Sequence, residues 1–171
     1  MDKQIVPGSG LLLSATATVF GWLAYTKLAK VSTDNCAGDQ HCEKLNVAKT
    51  LSLVSAILSS LAVLPNAYNL MGAVGLQTQM TDSMVKAVSS FTALFVLGAV
   101  VCAWIAFAFV SEVEEATALQ PAKDGKLFLL IQAVVLSVLV VPVGWSAVDA
   151  LQKAGRGGVN YRFFRYGSKC Y

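Results

Sequence analysis

Few residues in this chain could do chemistry, and their positions limit what that chemistry is. Cys36 and Cys42 bracket the short polar stretch Ala37-Gly38-Asp39-Gln40-His41, with a glycine to turn it. Two thiols at this separation fit a disulfide. Disulfides persist in oxidising compartments, so the expectation is a bridged pair on a loop outside. Two unbridged thiols are a second reading. A metal site using Cys36, His41 and Cys42 is a third, short of the fourth ligand that structural zinc sites normally have; no metal ligand is assigned. Cys102 lies within an apolar segment and reads as a small packing residue, and Cys170 as an inert thiol near the C-terminus.

Ser52, Ser55, Ser59, Ala62, Asn66 and Asn69 recur at steps of three and four residues, which places them on one stripe of a helix. In a bilayer such a stripe lets backbones approach closely and offers interhelical hydrogen bonds. The alternative is a polar path for a solute, which would make the protein a small passive channel or carrier. A helix-packing seam is the expectation. Similar small-residue spacings occur at Gly10, Ser14 and Thr18, with Ala17 and Gly21 alongside, and at Gly98, Cys102 and Ala106; a later segment carries Gln132, Ser137, Pro142 and Gly144.

The missing groups narrow the function further. Proton pumps, ion-coupled carriers and voltage sensors place titratable or charged side chains within the membrane. The long apolar segments contain none, and the single histidine, His41, lies outside them. The sequence has no Walker loop, no GxGxxG and no protected nucleophile–histidine arrangement. Catalytic and cofactor-binding residues are therefore not assigned, and an enzyme is not expected. Glu112 and Glu115 fall one turn apart after the third apolar segment, where a solvated helix extension to about Leu119, stopped by Pro121, explains them better than a cation site.

The C-terminal tail, residues 154–171, opens on Ala-Gly-Arg-Gly-Gly, a flexible hinge by composition. It continues through Tyr161, Arg162, Phe163, Phe164, Arg165 and Tyr166. Arginines between aromatic rings suit the lipid headgroup layer and equally suit a protein partner. Nucleic acid is not expected, because one GRGG and two further arginines are a weak signal.

These groups must be positioned by apolar elements. Of 171 residues, 56% are hydrophobic and 13% charged, whereas a soluble domain carries about 25% charged residues. The charges leave four windows empty, of 23, 32, 25 and 22 residues, between Lys3 and Lys27, Lys49 and Asp82, Lys86 and Glu112, and Lys126 and Asp149. One crossing needs about 20 mostly apolar residues, so each window holds one. The spans are predicted near 8–25, 47–68, 88–110 and 127–148. They form an all-α, integral-membrane four-helix bundle over residues 1–153, with both termini on the same side. The first span is expected to be retained rather than cleaved, because Met1-Asp2-Lys3 carries no net side-chain charge and Pro7, Gly8 and Gly10 interrupt the apolar region. Pro65 predicts a kink or end near Leu64, with residues 70–79 along the interface.

Positive residues near span ends decide orientation. The face with both termini carries seven Lys and Arg against six on the other, a small preference for termini in the cytoplasm or an equivalent compartment, with the first loop outside. Four spans with a cysteine pair in the first outer loop resemble claudins and tetraspanins in outline alone. Trp22, Trp104 and Trp145 all lie in spans, not in a claudin-type loop, and the tetraspanin Cys-Cys-Gly is absent.

These readings converge on a non-enzymatic structural or assembly subunit of a large membrane-associated complex, either organellar or in a membrane-containing virion. Its expected partners are membrane lipids and other protein subunits, with no small-molecule substrate identified.

Overall fold

The computed structural model describes residues 5–31, 39–73, 82–117 and 120–157. Among these there are four helices and no strand: α1 (Ile5–Ala29), α2 (Asp39–Ala73), α3 (Asp82–Thr117) and α4 (Gln120–Gly157). Each contains a segment long and apolar enough to cross a membrane. Only 28 to 33% of each such segment is buried inside the bundle, so the remaining apolar surface faces outward. Water would penalise that surface heavily; hydrocarbon does not. The chain is a multi-pass membrane protein.

The helices run up and down in sequence order and close into a ring, each packing against its two neighbours, with α4 returning to α1. Small residues take many of the inward positions: Ala17, Ala24, Ala48, Ser52, Ser55, Ala56, Ser59, Ala99, Ala103, Ala106 and Ala133 are fully buried. Lipid tails are as apolar as leucine, so close van der Waals packing between helices, rather than expulsion of water, holds such a bundle together.

Gly125 shows how closely two helices approach. A Cβ there would stand 2.7 Å from Leu28 Cδ2 and 2.9 Å from its Cγ. Gly125→Val is therefore expected to destabilise the protein by about 1–3 kcal/mol, the usual cost of overpacking. Adding Leu28→Ala should restore part of the loss in thermal unfolding in detergent.

Several element boundaries differ from the sequence expectation. Pro65 does not end the second span, since α2 continues to Ala73 with Pro65 inside it. The proline removes one backbone hydrogen bond, but neighbouring helices keep the segment packed, which is how membrane helices tolerate it. The expected interfacial segment is thus helical to Ala73, and residues 74–79 lie outside the described residues. Pro121 falls in the first turn of α4, where its missing N–H costs nothing; α3 is helical to Thr117, and residues 118–119 lie outside the described residues. The expected hinge from Ala154 instead continues α4 to Gly157. Cys42 is not on a loop, because α2 already begins at Asp39 and includes it.

Candidate functional site

A polar node sits inside the bundle and joins all four helices. It begins with Gly21 of α1, where a Cβ would come within 2.5 Å of Gln132 Nε2 and 3.2 Å of the Ala56 Cα. The absence of a side chain there creates the space that the Gln132 amide occupies. Gln132 Nε2, from α4, donates to Ser55 Oγ of α2 at 3.0 Å. Ser55 Oγ in turn donates to the Ala99 carbonyl of α3 at 2.9 Å. Two further polar atoms, Gln132 Oε1 and Ser52 Oγ, are buried without a hydrogen-bond partner.

The predicted seam residues Ser52, Ser55, Ser59, Ala62 and Asn66 all face inward, with exposures from 0 to 8%; the side chain of Asn69 lies outside the described residues. Ser59 donates to the Ala56 carbonyl and Asn66 Nδ2 to the Ala62 carbonyl of their own helix. Thr16, Thr18, Thr50, Thr92 and Ser111 likewise donate to carbonyls four residues back. Hydroxyls bonded within their own turn expose little unsatisfied polarity to their surroundings.

On the outer surface two clasps tie neighbouring helices. Trp22 Nε1 of α1 donates to Ser60 Oγ of α2 at 3.1 Å, and Trp104 Nε1 of α3 donates to Ser137 Oγ of α4 at 3.2 Å. Each indole also meets the aromatic ring three residues on, edge to face: Tyr25 for Trp22 and Phe107 for Trp104. An exposed indole N–H would otherwise need a partner in hydrocarbon. Nothing in the charge windows or the seam period points to these clasps. Their signal is the recurrence of Gly-Trp-Leu-Ala-Tyr at residues 21–25 as Ala-Trp-Ile-Ala-Phe at 103–107.

One end of the bundle is charged. Lys27 pairs with Asp124 at 2.9 Å, and Lys44 pairs with Glu112. Lys49 Nζ donates to the Val31 carbonyl at 2.7 Å, closing the negative end of α1, and Lys126 lies 6.0 Å from the centre of the Phe107 ring. From Lys126 to the exposed Trp145 is 19 residues of α4, roughly 28 Å at the helical rise. That is close to the thickness of a hydrocarbon core, about 30 Å.

Glu112 lies on the extension of α3 beyond Val110, where Lys44 meets it. Of the cysteine pair, Cys42 is half-buried on α2, and Cys36 lies outside the described residues, as do Tyr161, Arg162, Phe163, Phe164, Arg165 and Tyr166. Among the described residues, no group of three or more His, Cys, Asp and Glu is placed to hold a metal ion. Comparison with family models, with known proteins and with solved structures finds no match.

Proposed function

We propose that this protein is a non-enzymatic membrane subunit whose four spans form a packed anchor and whose C-terminal tail engages neighbouring proteins or the lipid headgroup layer in a larger assembly. The observation that supports this reading is the state of the seam. Its serines are fully buried, and Ser55 is spent on tying α2 to α3 and α4. A solute path needs polar groups that face open space; here they face neighbouring helices. On this reading the termini lie on the cytoplasmic or equivalent side and the first loop outside, as the lysine and arginine count of seven against six favours.

Replacing Ser52, Ser55 and Ser59 together with alanine tests the anchor against the channel or carrier, because it removes the hydroxyls while keeping the packing. In proteoliposomes loaded with potassium chloride or glycerol, wild type and triple variant should leak equally slowly. Deleting residues 159–171 should leave the bundle intact but lower recovery of the protein in its native complex. Flux through wild type that the serine variant abolishes would overturn the anchor reading, and undiminished incorporation of the truncated chain would remove the tail as a gripping element.

A further inference from the structure

The two halves of the bundle carry the same contacts at matching positions. Trp22 donates to Ser60, which donates to the Ala56 carbonyl at 2.7 Å; Trp104 donates to Ser137, which donates to the Ala133 carbonyl at 2.7 Å. From Trp22 to Trp104 is 82 residues, and from Ser60 to Ser137 is 77. The first offset carries buried Ala24 onto Ala106 and Leu28 onto Val110; the second carries buried Leu45 onto Ala122 and Ala56 onto Ala133. It also carries Lys49 onto Lys126 and Pro65 onto Pro142. Helical periodicity alone would repeat the burial, but it would not repeat tryptophan, lysine, serine and proline at the same two offsets. The offsets differ by five residues, which is how much longer the path from Val31 to Leu45 is than the path from Val113 to Ala122.

We propose that α1–α2 and α3–α4 are two copies of one transmembrane hairpin joined in tandem. The inner face of that hairpin is then an interaction surface for another copy of itself, supplied here within the same chain. Both hairpins cross in the same sense, so their two-fold axis runs along the membrane normal. Ser55 and Gln132 are equivalent positions under the second offset, and they are hydrogen-bonded to each other. Equivalent residues meet in this way on the axis.

The same pair also explains why unlike copies pair. Gln132 needs the space above Gly21, whose equivalent in the second hairpin is Ala103. Two second hairpins would bring two glutamines to the axis, each facing an alanine. Two first hairpins would bring serine to serine and leave the space above each Gly21 empty. The mixed pair fills one space with one amide, so Ser55, Gln132 and Gly21 act as specificity residues for pairing within the chain.

Inverting the node in the full-length protein tests this. The variant Gly21→Ala, Ser55→Gln, Ala103→Gly, Gln132→Ser exchanges the roles of the two hairpins. It should unfold in detergent within a few degrees of wild type. Gly21→Ala with Ser55→Gln alone puts two glutamines on the axis without a glycine. That variant should lose roughly tenfold or more in the ratio of folded to unfolded protein, the size expected of overpacking. An inverted node that fares as badly as the two-site variant would overturn the proposal. A second measurement leaves the core untouched: with the native cysteines replaced by serine, Trp22→Cys/Ser60→Cys and Trp104→Cys/Ser137→Cys are treated with a short bis-maleimide. Equal cross-linking supports equivalence of the hairpins, and cross-linking at one site only overturns it.

Discussion

Gly21→Val is expected to be the most damaging single substitution in the spans. Two effects oppose each other at this position. Removing a glycine from a helix interior gains about 0.5–1 kcal/mol of backbone entropy. Against that, even a Cβ would stand 2.5 Å from Gln132 Nε2, 3.1 Å from its Cδ and 3.2 Å from the Cα of Ala56. The amide could swing aside only by breaking its bond to Ser55, and the Ala56 Cα is backbone and moves only with α2. Valine adds two methyl groups to that contact and should cost about 3 kcal/mol or more. The steric cost wins, and the net loss should appear as a much lower thermal midpoint in detergent by circular dichroism. Alanine should lie between valine and wild type. An unchanged midpoint for Gly21→Val would show that α1 does not approach α2 and α4 as closely as described.

At Gln132, shape and polarity are expected to separate. Gln132→Met keeps the length and removes the amide. One hydrogen bond to Ser55 goes, worth about 1 kcal/mol net, but the unpartnered Oε1 goes too, and a buried unsatisfied acceptor costs about 1–3 kcal/mol. Ser55 still donates to the Ala99 carbonyl, so no donor is left stranded. Methionine should therefore be neutral or stabilising. Gln132→Ala removes the same polar atoms and leaves a cavity beside Gly21, at a cost of about 2–5 kcal/mol by analogy with other long-to-alanine core changes. Thermal midpoints of the two variants, measured side by side, decide the matter. If methionine costs as much as alanine, the amide itself holds the helices together. That result would favour a node kept for its polarity, as a binding or permeation role would require.

Much of the fold is legible in where charge is missing. A charged side chain within hydrocarbon is expensive, so four uncharged windows imply four crossings whatever their neighbours are. Helix ends are less legible, because they depend on contacts beyond the window. Pro65 reads as a breaker by local backbone rules, yet α2 passes through it because packed neighbours hold the turn. Glycines at 155 and 157 read as a hinge by composition, yet α4 is helical as far as Gly157. The polar stripe is visible as a period of three and four residues. What it touches is not, because Gln132 lies 77 residues from Ser55 in the chain. The Trp22–Ser60 and Trp104–Ser137 clasps fall in the same class: each tryptophan reads as one more apolar residue until the facing helix supplies its acceptor.

The sequence by itself determined the environment, the number of crossings and the stripe most available for packing, because these follow from transfer energies and helical period, which are local. Only the tertiary structure decided that the stripe is buried within the bundle with Ser55 bonded across it, that Gly21 is the space for Gln132, and that the two hairpins present matching surfaces. Those facts depend on which helix stands beside which and at what distance. Small residues permit many close approaches, and the ring closed by α4 on α1 realises one of them.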